Sequence, residues 1–326
     1  MVYILELKTT QTAAIKIVVD AVNSLLTDAN FDFYPYYIED DKDTKEKEDN
    51  YESESSDGSS NNSSEEPTEE PTEEPTEEPA EEPVEEPAEE PTKKKVIGGM
   101  VLKEVNKTGK ILVYMRLDSD KFDVYKYNYH KKKLTLGIDI SNLLKCLKCM
   151  SHFDTMTWIV DDEDINKLVI ILESNEKKEK KTFKLNLMDI DEETYDISPI
   201  QFPYSITLPS QDLHKYCKDM AASTDKIEIK ATSNKLFFSG KGGIGNIEFE
   251  VSETNGGLSI VSTTSNTNEI VQGLFELKFL LIFTKCTNLC NQVTMFLKND
   301  YPIIITYQIA ALGEIKLVLS PSKADL

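Results

Sequence analysis

The sequence predicts an α+β protein built as two halves of similar plan. Three observations predict it. Four short segments carry apolar residues at helical spacing, and they are set among β-branched and aromatic runs of strand length. The order strand, helix, several strands, helix, several strands occurs twice, on either side of a junction near Asp189–Pro203. Between Glu39 and Thr92 there is no apolar periodicity at all, so that stretch stands outside both halves.

Taken in order, Gln11–Thr27 places Ala14, Val18, Val22 and Leu25 on one helical stripe. Phe31-Asp-Phe-Tyr-Pro and Val96-Ile-Gly-Gly-Met-Val-Leu read as strands, which makes the segment between them an enlarged hairpin loop rather than a linker between domains. Loop length is thermodynamically cheap, about 0.6 kcal/mol per doubling, so such an insertion is tolerable. A strand is expected at Ile111–Leu117, and then a helix at Ser141–Met150 with Leu143, Leu144, Leu147 and Met150 inward. Thr157–Val160, Leu168–Leu172 and Thr182–Leu187 read as strands. Pro209–Ala222 opens with Pro-Ser and turns Leu213, Tyr216, Cys217 and Met220 inward as a third helix. Ile227–Ala231 is a strand, and Leu274–Asn288 a fourth helix with Leu277, Leu280 and Leu281 inward. Val293–Leu297, Ile303–Ile309 and Ile315–Leu319 complete the strands.

Charge divides the chain as sharply as periodicity does. The 326 residues carry a formal charge of −22, yet Glu39–Thr92 alone holds 24 acids and three lysines. The other 272 residues are nearly balanced, with 34 acids against 33 bases. Seven of the 13 prolines fall in the repeat EEPT, EEPT, EEPT, EEPA, EEPV, EEPA, EEPT. Like charges and regular proline favour a disordered, extended spacer, and a four-residue repeat is too short to be a solenoid unit. No apolar run reaches membrane-spanning length, and the N-terminal MVYILELKTTQT lacks the pattern of a secretory signal. Five cysteines without such a signal are expected as reduced thiols in a cytosolic or nuclear compartment.

The polar faces of the helices carry lysine. Lys145 and Lys148 are three apart, Lys215 and Lys218 likewise, Lys278 and Lys285 seven apart, and Lys16 stands alone on the first helix. One such pair is an ordinary solvated face. Three helices repeating it, in a body of balanced charge, can follow a phosphate backbone without reading bases.

Several segments resemble one family. GMVLKEVNKTGKILVYMRLDSDKFDVYKYN, ISNLLKCLKC, KLNLMDIDEETYDIS, LPSQDLHKYCKDM, GGIGNIEFEVS, LKFLLIFTKCTNL and YPIIITYQIAALGEIKLVLSPS occur in this order. They resemble PCNA, the eukaryotic and viral type of DNA sliding clamp and polymerase processivity factor. The likeness covers nearly everything outside the insertion. It implies a clamp fold: two similar domains, each with two helices on antiparallel sheet, assembling as a ring of three subunits. The implied division is 1–38 with 95–188, an insertion at 39–94, a connector at 189–203 and a second domain at 204–326. The implied DNA-facing residues are Lys16, Lys145, Lys148, Lys215, Lys218, Lys278 and Lys285, with Ile17 and Asn23 standing where the family often has bases. Thr182, Lys184, Asn246, Ile247 and Phe249 match the subunit interface. Val105, Tyr195, Ile197, Pro302, Val318, Leu319, Ser320 and Pro321 match the pocket for partner peptides. The implied partners are duplex DNA, DNA polymerase and other proteins with PCNA-interacting peptides, a clamp loader and a second and third copy of the chain. The implied place of action is the nucleus, or a viral replication factory for a virus-encoded chain.

No catalytic, metal or cofactor site is expected. Cys146-x-x-Cys149-x-x-His152 lacks a second ligand pair at zinc-site spacing, even with Cys286 and Cys290 in view. His130, His152 and His214 lack a nucleophile arrangement. Lys241-Gly-Gly-Ile-Gly-Asn lacks the phosphate-loop pattern and precedes a strand. Asp161–Asp164 reads as a solvated acidic turn. Two other readings compete with the sliding clamp: a checkpoint-type clamp subunit that assembles with paralogues, and an acidic adaptor or chaperone in which the Glu-Pro tract does the work.

Overall fold

The first strand, β1 (Tyr3–Thr9), buries Ile4, Leu5, Leu7 and Thr9 and alternates from Leu5 onward, leaving Glu6 and Lys8 half-buried. The computed structural model describes residues 3–39, 95–150, 155–191, 200–243, 245–263 and 269–323. Met1–Tyr37 with Val96–Leu326 forms one compact unit. Nearly all of the Glu/Pro insertion lies outside the described residues.

Helix α1 (Thr12–Asn23) buries Ala14, Ile15, Val18, Val19 and Val22 on one stripe. It stops four residues before the expected Thr27. Leu25 and Leu26 N–H both turn back to the Val22 carbonyl, and β2 (Asp28–Glu39) begins at once. β3 (Lys95–Val105) returns beside it. Gly98 and Gly99, at φ 121° and 117°, let β3 approach its neighbours: a Cβ would sit 2.2 Å from the Pro35 carbonyl oxygen and 2.0 Å from that of Leu117. β4 (Ile111–Asp118), β5 (Val124–Tyr127) and β6 (Leu134–Asp139) lead into α2 (Ile140–Lys148). The Asp139 carboxylate accepts the Asn142 N–H at 2.8 Å and caps this helix, while Lys145 and Lys148 suit the negative end of its dipole. β7 (Thr155–Asp161), β8 (Asp164–Ser174) and β9 (Glu179–Asn186) close the first half.

The second half repeats the plan. β10 (Tyr204–Pro209) and α3 (Ser210–Ala221) precede β11 (Lys226–Ala231), β12 (Lys235–Gly242), β13 (Gly245–Ser252), β14 (Ser259–Ser262) and β15 (Val271–Glu276). Then come α4 (Leu277–Phe283), a 3-10 segment over Thr284–Leu289, β16 (Gln292–Leu297), β17 (Ile303–Ile309) and β18 (Gly313–Leu319). Here the expected helix over Leu274–Asn288 is corrected. Leu274 belongs to β15, paired with Glu228, and the α-helix lasts only two turns before tightening. Apolar residues run through both elements, so periodicity alone does not mark the change from strand to helix.

Three antiparallel sheets result, in the orders β5-β1-β7-β8-β9, β14-β10-β16-β17-β18-β4-β3-β2-β6 and β13-β12-β11-β15. The nine-stranded sheet runs through both halves because β18 pairs with β4, from Gly313↔Leu117 to Leu319↔Ile111. The helices form one layer: α1 packs on α2 at one side and on the 3-10 segment at the other, and α3 packs on α4 and on that same segment. Beneath them lie Phe31 and Trp158, ring centroids 6.3 Å apart, and in the second half Tyr204, Phe238, Phe275 and Phe283. No helix among the described residues is long and apolar enough to cross a membrane.

Candidate functional site

Three surfaces follow from this frame. The first is the outer face of the helix layer. Lys145, Lys148, Lys215, Lys218, Lys278 and Lys285 are exposed and Lys16 is half-buried. Two of them have acidic partners on the layer itself. Lys285 Nζ lies 3.6 Å from the Asp20 carboxylate and donates to Ser24 Oγ at 2.7 Å. Lys278 Nζ lies 2.7 Å from Glu276 Oε2 and 4.7 Å from the Phe279 ring centroid. Because the helix tightens at Thr284, Lys278 and Lys285 stand on different kinds of turn, and the seven-residue spacing does not align them as it would on one continuous helix.

The second surface lies on the solvent side of the nine-stranded sheet. Strand alternation buries Ile111, Val113, Met115 and Leu117 of β4 and leaves Leu112 half-buried on the outside. Its cross-strand neighbours are Val105 on β3 and Val318 on β18. Val318 faces Ile304, and Ile304 faces Phe296. Five half-buried apolar side chains thus cross five strands, a strip about 19 Å long at ~4.8 Å per strand. The next outward rung is polar: Lys103, Tyr114, Lys316, Thr306 and Thr294. Phe202 extends the strip, its ring 5.8 Å from Phe296 and 5.9 Å from Tyr301, next to half-buried Pro302.

A cavity of about 630 Å³ opens beside Val105, between the turn after α1, the β3–β4 hairpin and Ile190–Asp191. Asn30 Nδ2 donates to the Ile190 carbonyl at 3.2 Å and holds the chain there. Asn106 shapes the hairpin tip, its Oδ1 accepting from the Lys110 and Ile111 N–H groups at 3.1 Å. Across the tip, the Lys110 carbonyl accepts the Ser320 N–H at 2.9 Å, and Lys110 Nζ pairs with Glu276. Lys110 first, and Lys278 next, hold the Glu276 carboxyl below its ordinary value of 4.5.

Val105, Pro302, Val318 and Ser320 are half-buried and Pro321 is exposed, all at this end of the sheet. Leu319 is corrected: at 1% exposure it points into the core, because its neighbour Val318 takes the outward position. Tyr195 and Ile197 lie outside the described residues. Leu112, Ile304 and Phe296 were not anticipated. The signal for them is an apolar residue at the outward phase of an alternating strand.

The third surface comprises two open sheet edges. β9 ends the five-stranded sheet and β13 ends the four-stranded one. Thr182, Lys184 and Asn246 are exposed, while Ile247 and Phe249 are half-buried. Phe249 packs under α3 against Tyr216, centroids 6.1 Å apart. The exposed phase of β9 carries Lys180 and Lys184; that of β13 carries Glu248 and Glu250. A groove of about 710 Å³ runs between α3 and β13, with Asp212, Asp219, Glu248 and Glu250 along it and Tyr216 and Leu258 among its apolar lining.

Among the described residues no three His, Cys, Asp or Glu side chains gather as a metal site, and His152 lies outside them. Cys217 and Cys286 are buried, which pushes both thiols up to about 12.

Two domains of paired helices on antiparallel sheet, joined strand to strand, match family models at both ends. The proliferating cell nuclear antigen N-terminal domain matches residues 93–194, and the C-terminal domain matches 196–322. The chain belongs to the proliferating cell nuclear antigen family. Its fold is that family's clamp fold, and β4–β18 is the seam between the two family domains. A probable DNA polymerase sliding clamp of Acanthamoeba polyphaga mimivirus is 27% identical over 323 residues, 98% of this chain and 62% of the relative. The chain thus spans less than two thirds of that relative's length.

Proposed function

We propose that this protein is a sliding clamp: a ring of three copies that encircles duplex DNA and tethers DNA polymerase and other replication or repair proteins. Family membership supports the reading, and the observation that carries it is the pair of open edges. An unpaired edge invites strand addition, and here one chain offers a lysine edge and a glutamate edge. Edges that complement each other on one chain favour self-assembly head to tail over assembly with paralogues. Closure in a ring leaves neither edge open.

Enclosure would retain DNA by topology, with no chemistry required. Exposed lysines of the helix layer would touch phosphates weakly and without regard to sequence, which permits sliding. Lysine suits this better than forked arginine, and Arg116 is the only arginine in the chain. The strip from Val105 to Phe296 would take the apolar side of a partner peptide, with Tyr195 and Ile197 of the connector assigned to the same pocket by family resemblance. We assign 1–38 with 95–188 to the first domain, 39–94 to the insertion, 189–203 to the connector and 204–326 to the second domain. A clamp loader is the implied partner for opening the ring, and the site of action is the nucleus or a viral replication factory.

The acidic tract supports a second reading, an adaptor for basic partners, because 24 acids in 54 residues form a strong field of one sign. Light scattering of the full chain, and of a chain lacking 39–94, separates the two. A clamp is trimeric in both forms and keeps polymerase processive without the tract. A monomer at micromolar concentration rejects the ring, and loss of all activity with the tract favours the adaptor.

A further inference from the structure

Cys146 and Cys149 are the two cysteines of the first half, three residues apart in the last turn of α2 and at its cap. Cys149 is exposed and Cys146 half-buried, whereas Cys217 and Cys286 of the second half are fully buried. The last turn of α2 is tightened: Cys149 N–H bonds to the Cys146 carbonyl and Met150 N–H to that of Leu147, both at 3.2 Å. Bonds of this i to i+3 kind belong to a 3-10 turn, in which the side chains at i and i+3 eclipse. Cys149 Sγ also points back along the helix, 3.5 Å from the Lys145 carbonyl. The tightened turn therefore sets the two side chains one above the other.

We propose that Cys146 and Cys149 form a reversible dithiol–disulfide site that exchanges with low-molecular-weight disulfides such as oxidised glutathione. Side chains three apart on a helix have Cβ atoms about 5–6 Å apart, and a disulfide needs about 3.5–4.5 Å. Cys149 supplies the remaining movement, because it is the exposed cap residue of the helix and not a residue of its interior. The Cys149 thiolate attacks one sulfur of oxidised glutathione, forms a mixed disulfide and releases one glutathione thiolate, which takes a proton. The Cys146 thiolate then attacks the Cys149 sulfur and releases the second glutathione. Two protein thiols lose two electrons and two protons, and one glutathione disulfide becomes two thiols.

Cys149 is exposed and therefore the attacking group, and Cys146, half-buried with burial holding its thiol above the ordinary value, is the resolving one. The site sits at a structural junction. The Cys149 carbonyl accepts from Lys181 Nζ of β9 at 2.9 Å, and the same helix carries Lys145 and Lys148. Oxidation would pull the Cys149 thiol away from the Lys145 carbonyl and strain the tie to β9.

The inference does not rest on the clamp reading, and its test needs neither DNA nor a partner. The full chain is incubated in glutathione buffers of stepped redox ratio, quenched in acid, and examined by intact mass and peptide mapping. The wild type should close one bond per chain between Cys146 and Cys149, and reduced glutathione should reopen it. Cys146→Ser should stop at a glutathione adduct on Cys149, and Cys149→Ser should stay unreacted at oxidant ratios that convert the wild type fully. A wild type that stops at the adduct, pairs other cysteines or links two chains overturns the proposal. Cys149→Ser changes an exposed side chain at a helix end, so it keeps the test valid should Cys146→Ser fold poorly.

Discussion

Lys285 Nζ donates to Ser24 Oγ at 2.7 Å although the two residues are 261 positions apart. The bond joins the end of α1 to the 3-10 segment after α4, and Asp20, 3.6 Å away, shares the same ammonium. A lysine expected to meet phosphate is thus already held by a carboxylate of its own layer. A phosphate must compete with Asp20 for it.

Removing that competitor should strengthen DNA contact. Asp20→Asn should raise the affinity for nonspecific duplex about two- to fivefold at low salt, the scale of one exposed charge pair. Lys285→Ala should instead weaken it and lower the slope of log affinity against log salt by about 0.9. Fluorescence anisotropy across a salt series measures both. An unchanged slope in Lys285→Ala would show that Lys285 makes no phosphate contact.

The open edges give a sharper test of assembly. Lys184 and Glu248 are exposed on β9 and β13, with no ion pair between them inside one chain. Lys184→Glu or Glu248→Lys alone should weaken each subunit contact about fivefold by placing like charges together. The chain carrying both changes should recover the trimer, since the pairing is restored in reverse. Sedimentation velocity at low and high salt distinguishes the cases. If the double change assembles no better than the single ones, these two edges do not meet.

The outward strip predicts a change in binding without a change in fold. Leu112 is half-buried between Val105 and Val318, so truncating it removes little from the core. Leu112→Ala should cost about tenfold in affinity for an aromatic-bearing partner peptide, or ~1.4 kcal/mol. Its unfolding midpoint should stay near the wild type. Calorimetry with a synthetic peptide reads the first quantity and urea denaturation the second. Retained affinity would place the peptide elsewhere.

Much of this was legible in the sequence, and the failures have physical causes. The strands Ile111–Leu117, Ile303–Ile309 and Ile315–Leu319 lie as expected, because β-branched and aromatic runs of strand length are a strong signal. The helix at Leu274–Asn288 is shorter because an apolar run fits a strand end, a helix and a 3-10 turn equally well. The resemblance matches Leu319 to the pocket alongside Val318, but neighbours in a strand point opposite ways, so Leu319 turns into the core. The nine-stranded sheet, and with it the Val105–Phe296 strip, needs the β4–β18 pairing of residues some 200 positions apart in sequence. Local pattern has no access to that pairing. The ion pairs that hold Lys278 and Lys285 are long-range or turn-dependent in the same way.

Glu276 ties the β3–β4 hairpin to the start of α4, and its titration should show in stability. Its carboxyl accepts from Lys110 through one oxygen and from Lys278 through the other, and both lysines hold it below its ordinary 4.5. A carboxyl with a lowered folded value contributes stability above its unfolded value and loses it as pH falls through the folded one. The contribution should therefore be whole at pH 7 and should shrink as pH falls below 4.5. Glu276→Gln removes the charge while keeping the shape, so it should be less stable than the wild type at pH 7 by no more than about 1 kcal/mol, given that Lys110 and Lys278 are 51% and 68% exposed. As pH is lowered below 4.5, the gap between the urea midpoints of the two proteins should narrow. Comparing the variant with the wild type at each pH cancels the many other carboxylates that titrate in the same range. A gap that stays constant as pH falls would mean that Glu276 acts through packing at the hairpin and not through charge. No loss at pH 7 would mean that its two lysines are as well satisfied by water.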